Sequence, residues 1–323
     1  MKRIYWILLA SVLLIFGSGY TAAKFALEYS TPLAFALLRT GLGCAFTFPF
    51  SMYTLYRLRM PGVAKDKKRN SLPRDGRTLL YVVLFGLTSS TLFFGFWYAG
   101  ESLVSASVSS VLVNTNTLFT VVFAYLFLRD KVSRMQVFGL ILGFSGALLV
   151  ASNGSLSSLR GDMLGFILLF LSAASFAGSL IVYKRFLSAL EPITLNMLQL
   201  FFASAGLLIW ILVSSPQSLS TVNFTPTFWV TILYTTIFGT VIANLIFMAL
   251  VRQRGPTWFS MWLFLNPVTG VVISSLVLDQ GLTFVQVIGM LIVVFSMYEI
   301  SRAMQKSNNQ KSSSELTQGE LRE

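Results

Sequence analysis

The chain has 323 residues, of which 55% are apolar, 14% aromatic and 11% charged, with a formal net charge of +12. A water-soluble domain of this length needs more charge to coat its surface, so the composition excludes that class and points to the bilayer. With no histidine and a single thiol, Cys44, it excludes Ser-His or Cys-His catalysis, a His-rich zinc site, a haem ligand pair and any intrachain disulfide.

A basic chain can bind nucleic acid, but that requires Lys and Arg along one solvated face. Here they fall in short clusters between apolar runs, so no nucleic-acid partner is expected. Lys2-Arg3 followed by the apolar residues 4–16 has the form of a signal peptide. Its apolar run continues through Gly17 to Phe25, long enough to span, and is read as an uncleaved first helix.

A hydrocarbon core of about 30 Å needs roughly 20 helical residues. Segments 6–27, 33–56, 78–99, 103–128, 134–151, 163–183, 193–213, 227–250, 257–278 and 283–300 meet that test, the fifth and tenth being the shortest. Thr31-Pro32 and Glu191-Pro192 precede the second and seventh, where the fixed φ of proline suits a helix start. Residues 301–323 are polar and are expected to form a disordered cytoplasmic tail.

The chain repeats itself. Ser105-Ala106, Asn116, Gln136 and Gly139 return at an offset of 150 as Gly255-Pro256, Asn266, Gln286 and Gly289. Lys24 and Pro32 return at 160 as Lys184 and Pro192, because the basic connection 57–77 is longer than its uncharged counterpart 214–226. Residues 1–151 and 152–300 therefore read as two five-helix repeats. If the N-terminus is cytoplasmic, 21 of the 24 Lys and Arg lie inside, leaving Lys24 and Arg160 outside and Arg39 within a span. By the positive-inside rule both termini are cytoplasmic, in the cell (plasma or inner) membrane. An odd number of helices per repeat then makes the two repeats inverted, a recurring design of secondary transporters.

On these marks the chain resembles the EamA-type members of the drug/metabolite transporter superfamily. The resemblance rests on Lys24, Pro32, Arg39, Ala99, Ser105-Ala106, Asn116, Asp130, Gln136 and Gly139, then on Lys184, Pro192, Ala249-Leu250, Gly255-Pro256, Asn266-Pro267, Gln286 and Gly289. It implies an all-α membrane protein of ten transmembrane helices in two inverted five-helix repeats. It also implies transport of small metabolites, often export of amino acids or related compounds, without ATP. The chain departs from the pattern at Thr117, where proline is usual, and at Gln280, where an acid is usual.

Polar side chains within a span face protein or a water-filled cavity. Such residues recur at helical spacing, and the candidates for substrate contact are Tyr20, Arg39, Ser90, Ser110, Asn114, Asn116, Ser179, Tyr183, Thr240, Asn244, Trp262 and Asn266. Each has a plainer reading as helix packing or bridging. Trp6, Trp97, Tyr98 and Trp229, near span ends, read first as interfacial anchors. Arg39 offers a fork for a carboxylate, but it can also hold helix-end carbonyls, snorkel or close an outer gate, and the resemblance favours a structural part.

No Asp or Glu falls near the middle of a span, so the chain is expected to act as a facilitator or exchanger, or to couple to protons through a peripheral carboxylate among Glu28, Glu101 and Glu299. The expected cavity is aromatic and hydroxylic, suiting neutral or zwitterionic metabolites such as amino acids, with no cofactor and no metal. Transport of phosphorylated metabolites or nucleotide sugars, and a non-transport multi-pass protein, are the alternatives. A homo-oligomer is left open.

Overall fold

The computed structural model describes residues 2–59, 73, 75–104, 106–130, 132–152, 163–278 and 282–320. Ser105, Arg160, Asp162, Asp279, Gln280 and most of the basic connection 57–77 lie outside them, as do the side chains of Tyr20 and Ser110. Among the described residues there is no strand. The rods are α1 (Lys2–Leu27), α2 (Pro32–Arg59), α3 (Gly76–Glu101), α4 (Ala106–Asn114, then Asn116–Phe123 and a π turn), α5 (Arg134–Ser152), α6 (Met163–Leu187), α7 (Pro192–Ser214), α8 (Pro226–Arg254), α9 (Pro256–Trp262, Leu263–Leu265 and Asn266–Leu278) and α10 (Phe284–Glu320). Nine of these are long and apolar enough to cross a membrane, and the apolar part of α5, Arg134–Val150, is shorter. The last rod, α10, stays helical to Glu320, across the point at which a tail was expected.

The helix starts follow from local chemistry. The Glu191 carboxylate accepts from Thr194 N at 2.8 Å and opens α7 ahead of Pro192. Thr225 does the same for α8 through Phe228 N at 3.2 Å. Gly255 carries φ +92 between α8 and Pro256, a conformation that needs glycine.

The repeated Gln-x-x-Gly also acquires a meaning. Ser133 N donates to Gln136 Oε1 at 2.7 Å while Gln136 N donates to Ser133 Oγ at 3.2 Å, a reciprocal capping box. Thr283 and Gln286 repeat it at 3.0 and 3.4 Å. The glycine three residues on then lets α5 and α10 meet backbone to backbone. Gly139 lies against Ile300, Gly143 against Ser296, Gly146 against Val293 and Val150 against Gly289. As numbers rise along α5 they fall along α10, so the two helices run antiparallel. Each pair maps onto another under the offset of 150.

The offset marks further irregularities. The helix widens to a π form at Leu87–Leu92 in α3 and at Ile237–Ile242 in α8, and α4 and α9 restart at Asn116 and Asn266. The departure at Thr117 has a use, since its hydroxyl donates to Ser260 O at 2.7 Å, a bond that proline cannot make.

The core lies between the rods. At one end Tyr183, Phe85, Phe247 and Phe259 are fully buried against one another. That same end gathers basic residues, with Lys184 Nζ donating to Arg252 O at 2.7 Å and the Arg254 guanidinium over Tyr5 at 5.4 Å. Large apolar side chains point outward along the bundle, among them Phe50, Ile209, Val230 and Leu291, as a lipid-facing surface requires.

A Cβ on Gly146 would sit 2.9 Å from Gly289 O, and one on Gly289 2.8 Å from Gly146 O. Gly146→Ala and Gly289→Ala are each expected to lower the thermal unfolding midpoint in detergent, at a cost of about 1–3 kcal/mol. Gly178→Ala, with nothing within 4 Å, is expected to leave it unchanged or raise it slightly.

Candidate functional site

The restarts and π segments place their residues around one cavity of about 690 Å³, counting its open mouth. Its walls come from α1, α2, α3, α4, α6, α8 and α9, so both halves of the chain contribute. A π segment carries an extra residue per turn, which leaves backbone carbonyls and small residues facing inward. In α8 this brings Thr235 and Gly239 to the cavity, with Thr240 Oγ1 donating to Thr235 O at 3.2 Å.

Arg39 is the one charged residue among the described lining residues, and it is 4% exposed. Its Nε donates to Thr240 Oγ1 and its Nη1 to Tyr98 OH, both at 2.6 Å. The guanidinium carbon lies 4.5 Å from the centre of the Phe94 ring, a cation-π contact strengthened where water is excluded. Gly239 makes room for it, since a Cβ there would approach Nη2 to 2.8 Å. Two hydroxyls and a ring thus hold the cation, with Nη2 left toward the cavity.

Opposite it the walls are aromatic. Phe93 stands 5.3 Å from Trp97 and 4.9 Å from Phe176, ring centre to ring centre. The Tyr234 hydroxyl shares a 2.5 Å hydrogen bond with Ser18. Three amides complete the lining. Asn116 Oδ1 accepts from Thr117 at 3.2 Å, Asn244 Nδ2 donates to Asn196 Oδ1 at 3.3 Å, and Asn266 Oδ1 is buried with no protein partner. Ser89 Oγ is likewise buried and unpartnered. Unmet polar groups of this kind in an apolar wall are groups that a ligand or water can satisfy.

Of the residues singled out from sequence, Arg39, Asn116, Asn244 and Asn266 line the cavity together. Thr240 stands behind Arg39 as its acceptor. Ser90 accepts from Gln199 Nε2 at 3.4 Å while its neighbour Ser89 takes the wall position. Ser179 bonds back to Phe176 O at 2.7 Å within its own helix, and Tyr183 OH bridges to Met248 O at 2.9 Å. Trp262 packs edge-on to Trp6 at 5.2 Å, and Asn114 is buried two residues before Asn116 without reaching the lining.

One expectation is corrected. Trp97 is 7% exposed and Tyr98 fully buried, so neither is an interfacial anchor. Residue count along the span put them near its end, but α3 is packed on α2 and α6, which turns both rings inward; Trp6 and Trp229 do stand exposed. Phe93, Phe94 and Phe176 carried no signal in the sequence because an aromatic run looks the same whether it faces lipid or a cavity. Asn196, buried behind Asn244, was equally silent.

Comparison with known proteins agrees with this picture. A family model described as the EamA-like transporter family matches residues 2–152 and again 163–302. The uncharacterized transporter YvbV of Bacillus subtilis is 29% identical over 90% of this chain and 89% of its own length. The uncharacterized inner membrane transporter YedA of Escherichia coli is 23% identical over 89% and 87%, and a WAT1-related chloroplastic protein of Arabidopsis thaliana 24% over 92% and 69%. One solved crystal structure shares the fold with a TM-score of 0.75, over 94% of this chain and 98% of that one, at 11% identity.

Tyr98→Phe and Thr240→Val each strip one acceptor from a buried guanidinium. Each is expected to cost about 1–3 kcal/mol, read as a lower thermal unfolding midpoint, whereas Ser175→Ala, at an exposed hydroxyl bonded within its own helix, is expected to leave it in place.

Proposed function

The chain belongs to the EamA-like transporter family, and we propose that it is a secondary transporter moving small neutral or zwitterionic metabolites, amino acids foremost, by alternating access. The observation that carries the substrate class is the charge content of the cavity: one guanidinium and otherwise aromatic rings, amides and hydroxyls. A single carboxylate matches Nη2 of Arg39, since Nε and one N–H of Nη1 are already committed to Thr240 and Tyr98. An ammonium group finds acceptors in the amide oxygens, and an apolar side chain finds the rings of Phe93, Trp97 and Phe176. A phosphate ester or nucleotide sugar brings more negative charge than one cation offsets, which disfavours that reading.

Alternating access is supported by two half-chains that share an offset in their caps, π segments and helix restarts, and by the antiparallel meeting of α5 and α10. Units of opposite orientation can exchange shapes around a fixed central site. The fully buried aromatic cluster at the basic end closes that end in this conformation. The distribution of Lys and Arg supports a cytoplasmic side for the closed end, and we read the protein as an exporter or exchanger in the cell membrane.

Two measurements test this. Purified full-length protein is screened by thermal shift against amino acids, amines, nucleosides and sugar phosphates. A ligand at one hundred times its Kd contributes about 2.7 kcal/mol of stability, so an amino acid with an apolar side chain is expected to raise the midpoint, and Asn244→Ala and Asn266→Ala to blunt the rise. Response to sugar phosphates alone would reverse the substrate assignment. Separately, reporter fusions within 65–69 and at Arg252 are expected to fall on the same, cytoplasmic side, and opposite sides would end the inverted arrangement.

A further inference from the structure

Two glycines stand in the described cavity wall, Gly239 on α8 and Gly19 on α1. Glycine is a poor helix former, so within a rod it calls for a reason. Gly239 has one, because the Arg39 guanidinium takes the room of its missing side chain. Gly17 has another, since a Cβ there would sit 2.8 Å from Thr269 Cβ on α9. Gly19 has neither. It lies within regular α-helix, Gly255 being the one described glycine with positive φ. Among the described residues, no heavy atom outside its own helix turn and chain neighbours lies within 4 Å of where its Cβ would stand. Gly41, Gly76 and Gly178 are as open, but none of them borders the cavity.

The neighbours of Gly19 fix how it is presented. Ile15 and Phe16, one turn earlier on the same face of α1, line the cavity with it. Ser18 is tied to Tyr234 of α8 by the shared hydrogen bond at 2.5 Å, and Gly17 is seated on α9. Both flanks of α1 are thus held, with Gly19 turned to the space between them. The rings of Phe93, Trp97 and Phe176 belong to other rods, α3 and α6, which pack on each other as α1 packs on α8 and α9. The cavity therefore has large rings on one pair of rods and, at Gly19, bare backbone in an apolar stretch of another.

We propose that Gly19 is a specificity-determining residue, which keeps room for the apolar side chain of the substrate against α1 and so selects bulky side chains over small ones. This rests on the amino-acid reading above and deepens it. A small side chain can contact one wall alone. One the size of leucine or phenylalanine contacts the rings and the α1 wall together, and gains in proportion to the apolar area it buries. Each carbon added at position 19 narrows that room, and the penalty falls on the largest ligands first, because a packed wall yields little.

Thermal shift on the purified full-length protein tests this, with alanine, leucine and phenylalanine as ligands and indole as an apolar probe that has neither carboxylate nor ammonium. The native chain is expected to bind leucine and phenylalanine more tightly than alanine. In Gly19→Val that preference falls about tenfold or more and indole affinity falls with it, while Gly178→Val keeps the native preference. With no ligand added, Gly19→Ala melts no lower than the native chain, as a position without packing demands. A preference unchanged in Gly19→Val, or a lower midpoint in Gly19→Ala, overturns the proposal and leaves the amino-acid reading standing. A response to indole and to no amino acid ends that reading instead. Size selection is then decided by indole, an affinity lowered in Gly19→Val supporting it and an unchanged one overturning it. No response to any of the four overturns it as well. Should Gly19→Val fail to fold, Gly19→Ala decides, with the preference reduced about fourfold, and an unreduced preference overturns the proposal.

Discussion

A bilayer gives a polar group nothing to bond with, and the way this chain houses Arg39 shows how far that constraint reaches. Arg39 is 4% exposed, and the residues that hold its guanidinium come from two other rods: Thr240 from α8, Tyr98 and Phe94 from α3. Holding it requires the π segment Ile237–Ile242, which turns Thr240 inward and sets Gly239 beside Nη2. It requires α3 to present Tyr98 to the interior rather than to the headgroups. The cation therefore organises both the cavity wall and the packing of α2 between the two halves.

The same accounting explains the repeated motif. Gln136 and Gln286 each close a capping box, which satisfies donors that a helix start otherwise leaves bare. Gly139 and Gly289, three residues on, permit the close meeting of α5 with α10. One short pattern thus supplies both the start of a helix and its contact surface, at opposite ends of the same seam. A polar residue and a small one at fixed spacing are enough because the intervening positions only need to be apolar.

Much of the architecture was legible in residue order. The spans, their breaks and the offset of 150 follow from apolar run length, proline and repeated polar residues, because lipid penalises every exception. The amides at 116, 244 and 266 stood out for the same reason, and they do line the cavity. What residue order hides is rotation about a helix axis. Trp97 reads as an anchor by its distance along the span, yet its facing depends on the turns before it, and a π segment resets that facing by an amount no local residue announces. Asn196 and Gln199 are silent for a related reason, since a second layer of polar groups is specified by the first layer it supports.

The seam between α5 and α10 carries one more implication. At Gly146 and Gly289 each residue is opposed by the main-chain oxygen of the other. A larger side chain on one helix can often be rescued by trimming its neighbour, but here the neighbour has nothing to trim. The obstacle is the peptide itself, which no codon change removes. The two positions are therefore frozen independently, and compensatory drift, open to most packed pairs, is closed to this one.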